Sequence, residues 1–178
     1  ILNNGFSASY LYGDGKRLFA TDHPLVSGGT NSNRPSSFVD LSETALEDAF
    51  IQIAAWVDER GLLIAARPTK LIIPPALTFE ATRILESELR VNSAENDINA
   101  LRSNGTISGG YAVNHYLTDT DAWNIKTDVP NALKMFNRVP MSTKMDGDFD
   151  TGNVRYKARE RYSFGVSYPL GMYASSGA

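Results

Sequence analysis

Two histidines are the first residues to consider for chemistry, because an imidazole beside a carboxylate can serve as a general base or a metal ligand. His23 directly follows Asp22, which could orient the ring. His115 precedes Asp119 by four residues, a spacing that brings two ligands together only on a helix, and the nearby glycines oppose a helix. The chain has no cysteine to complete a metal site. We interpret both histidines as loop or strand residues with local contacts.

Three aspartates at alternate positions, Asp146, Asp148 and Asp150, resemble the start of a calcium-binding loop. That loop requires a glycine and a closing glutamate where this chain has Thr151 and Lys157, so the match fails and a polar turn is favoured. Phosphate-binding, dinucleotide-binding and nucleophile-elbow motifs do not occur in the sequence. We therefore predict no catalytic residue, cofactor or metal.

The most regular pattern in the chain covers residues 154–168. Its even positions are mostly apolar: Val154, Tyr156, Ala158, Glu160, Tyr162, Phe164, Val166 and Tyr168. Its odd positions begin with four cations, which we call the cationic row: Arg155, Lys157, Arg159 and Arg161. This period of two predicts a long strand with one face on a core and one face cationic. Glu160 interrupts the apolar face and should need a cationic or hydrogen-bonding partner.

The cationic row has three interpretations: a solvated face, a nucleic-acid contact, or a surface that meets acidic groups of a neighbouring subunit. Four cations on one side of a strand repel one another, which favours a compensating partner. Nucleic acid would require aromatic groups between the cations, and the tyrosines are expected on the opposite face. A protein partner is favoured, so the cationic row and Glu160 are our candidate subunit-interface residues.

A packed α/β unit is predicted for residues 41–89. A first helix should begin at Asp40 or Ser42 and end at Gly61. Its predicted core face consists of Leu46, Ala49, Phe50, Ile53 and Val57. The apolar run 71–73 predicts a strand covered on both faces. Two prolines then begin a second helix, whose predicted inner face consists of Phe79, Thr82, Ile84 and Leu85.

Loops are predicted on both sides of this unit. Residues 22–35 are rich in Ser, Gly, Asn and Pro, and residues 91–105 are polar with Ile98 and Leu101 as their anchors. Residues 122–125 predict another short strand, whereas residues 129–140 show no clear pattern and are interpreted as a connection.

The length, net charge and composition of the chain exclude several classes of protein. A chain of 178 residues can form one ordinary domain or two small ones. Its net charge of -3, from 17 basic and 20 acidic residues, gives no global signature of nucleic-acid binding. Without cysteine there is no disulfide framework, and no apolar run approaches the roughly 20 residues of a membrane span, so we expect no membrane partner.

Several short sequence segments, taken together, resemble the major capsid proteins of tailed bacteriophages, particularly the Mu-like major head subunit group. They lie at residues 14–25, 41–59, 70–75, 96–101 and 116–123, and in the ending Pro169, Leu170, Gly171, Met172, Tyr173. The resemblance implies an α+β Hong Kong 97-like capsid fold. In that fold an axial domain lies at the centre of each hexamer or pentamer, and a peripheral domain carries a long strand against a long spine helix.

On this resemblance, residues 1–26 would end a peripheral-domain segment and connect it, residues 27–133 would form the axial domain, and residues 134–178 would return through the peripheral domain. The family's N-terminal arm, extended hairpin loop and spine helix have no counterpart in the matched residues. Either they lie before Ile1, or the match is to a fragment of the fold.

The resemblance implies a structural protein that assembles into an icosahedral shell around double-stranded DNA, in the virion, after assembly in the bacterial host cytoplasm. Its partners would be copies of itself, possible scaffold, portal or decoration proteins, and packaged DNA contacted without sequence specificity. The loops 22–35 and 91–105 would be contacts between subunits or plain exposed loops. Two alternatives are an encapsulin-like compartment shell and a small α/β enzyme or binding domain using His23 and Asp22.

Overall fold

The computed structural model describes residues 1–90 and 97–178. Its helices are α1 (Glu43–Ala54), α2 (Thr78–Glu86) and α3 (Ala100–Ser103), with short 3₁₀ turns at Leu2–Asn4, Pro75–Leu77 and Pro169–Gly171. Its strands are β1 (His23–Pro24), β2 (Thr30–Asn31), β3 (Pro68–Ile73), β4 (Tyr111–Val113), β5 (Trp123–Thr127), β6 (Leu133–Gly147), β7 (Val154–Val166) and β8 (Met172–Ser175). We call residues 133–166 the ribbon, and the other described residues the body.

A four-stranded sheet in the order β4-β3-β5-β8 is the centre of the body. Strand β3 pairs parallel with β4 and antiparallel with β5, and β5 pairs antiparallel with β8. Leu71 lies opposite Ile125, and Ile125 lies opposite Tyr173, so these three side chains share one face of the sheet. Four strands that are spread over positions 68 to 175 of the sequence therefore form one hydrogen-bonded sheet.

The sheet is covered on both faces, as the apolar run 71–73 predicts. Leu71 and Ile73 are fully buried in the larger core cluster, which also contains the inner face of α1. Ile72 points to the other face and packs against a smaller cluster around Leu18 and Phe19. Burial of apolar surface on two sides stabilises the central strand, at roughly 25 cal/mol per Å² removed from water.

Two buried aromatic residues show how polar atoms are satisfied inside this core. Trp123 donates from Nε1 to the carbonyl oxygen of Val39 at 3.0 Å, and the Tyr173 hydroxyl lies 2.8 Å from Oε1 of Gln52. Burial raises the pKa of Tyr173 above its ordinary value, so the hydroxyl stays neutral and donates to Gln52. The core therefore combines apolar packing with paired polar groups.

Helix α1 begins as predicted but ends earlier than predicted. Oγ of Ser42 accepts a hydrogen bond from the backbone N–H of Ala45 at 3.1 Å, so Ser42 is the N-cap. The helix ends at Ala54 rather than at Gly61. The chain leaves the helix because Trp56 turns inward and donates from Nε1 to the carbonyl of Ser32 at 2.7 Å.

Gly61 belongs instead to a turn after the helix, with a positive φ of 84°. The carboxylate of Asp58 closes this turn by accepting from the backbone N–H groups of Leu62 and Arg60. These hydrogen bonds lower the pKa of Asp58. The predicted core face of α1 is confirmed at Leu46, Ala49 and Ile53, whereas Phe50 is exposed and Val57 lies beyond the helix.

Helix α2 follows a proline turn, as predicted, but its inner face differs. Ala81 and Ile84 are buried, and Leu85 packs at the edge of the core. The hydroxyl of Thr82 lies 2.9 Å from the hydroxyl of Tyr111. Phe79 was expected on the inner face and is 76% exposed, because the contacts of Ala81, Ile84 and Thr82 rotate it outward.

The predicted loops contain short regular elements. Within residues 22–35, β1 and β2 form a small antiparallel hairpin. In the second loop, residues 91–96 lie outside the described residues, and the remainder contains α3, where Leu101 is buried as expected. Ile98, the other expected anchor, is 70% exposed because it only bridges to Leu89 at the surface.

No helix within residues 1–90 and 97–178 has the length and hydropathy needed to cross a lipid bilayer.

Candidate assembly interface

The ribbon is the candidate functional site, because its residues combine regular spacing, charge and exposed apolar surface. Strands β6 and β7, of 15 and 13 residues, pair antiparallel as a separate two-stranded sheet. At about 3.4 Å per residue, such strands extend roughly 40 Å or more. A two-stranded sheet is marginal in water on its own, so a ribbon of this length calls for a further surface to pack on.

Among the described residues, the apolar face of the ribbon rests on a core only at its base, where Val166 packs against the smaller core cluster. From Val154 to Phe164 this face is exposed, so the prediction of a core beneath the whole face was wrong. Pairing places Tyr156 opposite Met145 and Phe164 opposite Met135, all on this face. Tyr156 and Met145 are each 71% exposed. The rings of Tyr162 and Phe164 contact edge to face at 5.4 Å. No described segment of the body covers these side chains, and an exposed apolar patch of this kind marks an interaction surface.

The cationic row lies on the opposite face of the ribbon, as its period of two predicts. Lys144 joins it, since it pairs directly with Lys157. Arg155 lies beside Asp146 in the register and makes a 3.4 Å ion pair with Asp148. Among the described residues, none of the recorded ion pairs involves Arg159 or the two lysines. Like charges opposite each other are unfavourable in a sheet, so this face should gain from an acidic partner.

Glu160 was expected to need a partner because it interrupts a face that would be buried. The structure leaves its side chain exposed on that face, so the desolvation that would demand a partner is absent within the chain. The expected partner is therefore not found in the described residues. Glu160 remains an interface candidate because it lies on the same β7 face as Tyr156 and Tyr162.

Strand β6 was not predicted from the sequence, because residues 129–140 were interpreted as a connection. The available signal was the alternation of Met135, Val139, Met141 and Met145 with more polar residues. Pro140 and two register shifts, between Asn137 and Val139 and between Val139 and Ser142, disguise it. A proline removes a ladder hydrogen bond and is tolerated at bulges and edges, which is where this one lies.

Asp148 and Asp150 lie in a polar turn at the tip of the ribbon, as predicted, whereas Asp146 is in strand β6 opposite Arg155. Asp148 accepts from the backbone N–H of Asp150 at 3.3 Å and from the hydroxyl of Thr151 at 2.9 Å. Its carboxylate is thus occupied by the turn and by Arg155. Within the described part of the chain, no group of three or more His, Asp or Glu side chains is placed to hold a metal ion.

The two histidines take local positions. His23 is buried in β1, with Nδ1 2.5 Å from Oδ2 of Asp14 and Nε2 3.1 Å from Oδ1 of Asn33. The expected orienting residue was Asp22, and this was wrong, because Asp22 instead pairs with Lys16 and the chain turn brings Asp14 to the ring. That pairing lowers the pKa of Asp22. Both ring nitrogens of His23 are engaged, so the ring is poorly placed to act as a free base. His115 lies in an exposed turn, not on a helix.

Asn33 links the segment around Leu18 to Pro169, just after the ribbon, by hydrogen bonds. Its amide nitrogen donates to the carbonyl of Leu18 at 2.7 Å and to that of Pro169 at 3.0 Å, and its oxygen accepts from the N–H of Ala20 at 2.9 Å. A cavity of about 260 Å³ lies nearby, between the base of the ribbon and the 12–25 segment. No local pattern in the sequence indicates this network, because the residues involved are as many as 136 positions apart.

Comparison with known proteins gives a family match and similarity to solved structures. A family model described as phage capsid protein matches residues 2–175. A solved structure described as a virus-like particle from Pyrococcus furiosus has 18% sequence identity and a TM-score of 0.43, and the match covers 80% of this chain and 54% of that one. The chain thus spans about half the length of that protein. No curated protein matches the chain.

Proposed function

Because the chain belongs to the phage capsid protein family, we propose that it is the major capsid protein of a tailed bacteriophage, of the Mu-like major head subunit group. Family membership makes it a structural, non-enzymatic shell protein. In the proposal, copies assemble into hexamers and pentamers, and these close an icosahedral shell around double-stranded DNA. Closed symmetry lets many modest contacts add up to a stable shell without any catalytic residue.

The exposure of both faces of the ribbon is the observation that best supports the proposal. The ribbon presents apolar side chains on one face and the cationic row on the other, and both faces are exposed in a single chain. A globular enzyme has little use for such an element, because an exposed strand pair risks aggregation. A shell subunit requires it, since an element that extends beyond the body can contact more than one neighbour.

The proposal includes the α+β Hong Kong 97-like fold and its domain division. Residues 1–26 would end a peripheral-domain segment, residues 27–133 would form the axial domain, and residues 134–178 would be the peripheral-domain return. The central sheet and helices α1 and α2 fall mainly in the second range, and the ribbon falls in the third. Strand β8 ties the third range back to the sheet by pairing with β5.

Further partners follow from the same proposal. Packaged DNA would contact the inner surface without sequence specificity, and scaffold, portal or decoration proteins would bind the shell. Assembly would take place in the host cytoplasm, and the product would be the virion capsid. The loops 22–35 and 91–105 are proposed as additional contacts between subunits, for the described part of the second loop through α3 and its neighbours.

Sedimentation and electron microscopy of the full-length protein, expressed in bacteria, test the proposal. We expect particles of megadalton mass with a regular closed outline. A monomer or small oligomer under all conditions of salt and concentration would contradict it. Nuclease-protected double-stranded DNA inside particles from infected cells supports the phage capsid, whereas particles that hold a protein cargo and no DNA would indicate an encapsulin-like compartment.

A further inference from the structure

The charges of this chain are divided unequally between the ribbon and the body. Residues 133–166 contain seven basic and four acidic residues, whereas the rest of the sequence contains ten basic and sixteen acidic residues. The ribbon is therefore positive and the remainder negative at neutral pH. Opposite charges on two surfaces of one chain favour head-to-tail contact between copies, because each copy offers both partners.

Helix α1 provides the acidic surface best suited to the ribbon. Its twelve residues include Glu43, Glu47 and Asp48 and no basic residue. At 100° per residue, these three acids fall on the side opposite the buried face, together with Ile51, which is 66% exposed. Glu43 is partly compensated by Arg90 at 3.2 Å. The outward face of α1 thus combines uncompensated acids with apolar surface, a composition typical of an interface.

The spacing of the charges on the two elements is compatible. Glu47 and Asp48 are adjacent on α1, and their side chains diverge by about 100° around the helix axis, which separates the two carboxylates. Arg159 and Arg161 are two residues apart on one strand face, about 7 Å. Two charge pairs can therefore form at once where the strand crosses the outward face of the helix. Arginine suits this role because its planar guanidinium can bind a carboxylate through two parallel hydrogen bonds.

The two surfaces are not paired with each other inside one chain. The ion pairs found among the described residues join Arg90 to Glu43, Arg102 to Glu88 and Arg155 to Asp148, together with Lys16 to Asp22 and His23 to Asp14. None of them connects α1 with the ribbon. Both surfaces therefore remain available for contact with a second copy.

We propose that the cationic row of one copy docks on the outward face of helix α1 of a second copy. Arg159 and Arg161 pair there with Glu47 and Asp48, and Ile51 packs against the stems of the arginines. This inference rests on the proposed shell function and names the partner surface for the ribbon. A nucleic-acid partner is less suited to this face, since the β7 aromatics Tyr156, Tyr162 and Phe164 lie on the other side.

Charge reversal in the full-length protein tests the contact. The ribbon variant is R159E/R161E, the helix variant is E47K/D48K, and the combined variant carries all four substitutions in one chain. We expect each double variant to reduce the fraction of protein in shells at least tenfold, because like charges then meet at every contact. The combined variant restores opposite charges at every contact, so its shell fraction should return to within about threefold of wild type.

Matched controls separate this contact from effects of net charge. K70E/K126E changes the net charge as much as the ribbon variant does, at two exposed positions that neighbour each other on β3 and β5. E80K/E86K matches the helix variant at two exposed positions of α2. Both controls should assemble as wild type. Circular dichroism confirms that each variant is folded.

The outcomes distinguish this inference from the proposed function. If wild-type protein never forms shells, both fail. If wild type forms shells and either double variant also forms them, the shell function stands and the contact is overturned. A combined variant that stays unassembled also overturns the contact, as does a ribbon variant that forms shells lacking DNA, which would assign the cationic row to nucleic acid.

Chemical cross-linking tests for the contact in the wild-type particle. A carbodiimide forms an amide between a lysine and a carboxylate that come within reach of each other. Lys157 is the next cation of the row after Arg159, so it should become linked to Glu47 or Asp48 of the docked copy. Shells assembled from equal parts of ¹⁵N-labelled and unlabelled protein show by mass spectrometry whether the linked peptides come from different copies. Linked peptides of mixed label support the contact, and their absence where other links between copies are found contradicts it.

Discussion

The body and the ribbon of this chain use similar strands for opposite purposes. In β3, apolar side chains on both faces are buried, and Leu71 and Ile73 have no exposed surface. In β7, the apolar face is open, with Tyr156 71% exposed. The strands do not differ much in local propensity. They differ in whether the chain supplies a second layer. Stability is therefore concentrated in the body, and the ribbon is left open for the proposed contacts between copies.

The largest effect on subunit stability should come from the centre of the body. Trp123→Ala removes a fully buried side chain and its hydrogen bond to Val39, and we expect a loss of about 3–5 kcal/mol in the free energy of unfolding. Phe149→Ala is the matched ribbon variant, since Phe149 is 100% exposed at the tip, and it should change stability by less than about 0.5 kcal/mol. Urea unfolding of dissociated subunits measures both, and equal effects would erase the distinction between the two regions.

A slightly smaller loss is expected at Asn33, where the body holds the base of the ribbon. Asn33→Ala leaves the carbonyls of Leu18 and Pro169 and the N–H of Ala20 without their partner, which should cost about 2–4 kcal/mol. Hydrogen exchange should also accelerate near Pro169. Asn153→Ala at the exposed tip of the ribbon is the control and should have no measurable effect. A neutral Asn33→Ala would mean that this network does not anchor the ribbon.

The cap of helix α1 should contribute less. Ser42→Ala removes the acceptor for the N–H of Ala45, and we expect a loss of about 1 kcal/mol, seen as a lower midpoint of thermal unfolding. Ser37 is exposed and outside any helix, so Ser37→Ala should leave the midpoint unchanged. Because α1 also carries the acidic surface of the proposed contact, a frayed helix should weaken assembly as well. Identical midpoints for both variants would exclude Ser42 as a stabilising cap.

The smallest effect on the subunit, and the sharpest test of the comparison, is expected on the apolar face of the ribbon. Tyr156→Ser and Tyr162→Ser should change the unfolding free energy of dissociated subunits by no more than about 0.5 kcal/mol, because both side chains are already exposed. The fraction of protein in shells should nevertheless fall several-fold, measured by sedimentation. A large loss of subunit stability without a change in assembly would reverse the roles assigned to the two regions.

Several elements were predictable because their signals are local. The apolar spacing at Leu46, Ala49 and Ile53, after the two cap candidates Asp40 and Ser42, was enough to place the start of α1 within two residues and most of its buried face. The run at residues 71–73 predicted a strand covered on both sides. The end of α1 was not predictable, because it depends on Trp56 reaching the carbonyl of Ser32, a contact that no periodicity encodes.

The candidate site was predictable in part. Alternation in residues 154–168 placed the cationic row on one face, since side chains alternate along any strand. The expected core lies beneath the other face only at Val166, at the base of the ribbon, because alternation indicates which residues share a face but not what covers it. Strand β6 was missed, since Pro140 and two register shifts interrupt its pattern.

The amino-acid sequence by itself determined which residues share a helix or strand face, that α1 begins at Asp40 or Ser42, and that four cations stand in a row, because these properties depend on neighbours along the chain. Only the tertiary structure decided that His23 pairs with Asp14, that Asn33 binds Pro169, and that β6 and β7 stand apart from the body. Those outcomes depend on contacts between distant residues. Such contacts form only when the free energy gained by burial and hydrogen bonding exceeds the entropic cost of closing long loops. Local sequence patterns do not show whether it does.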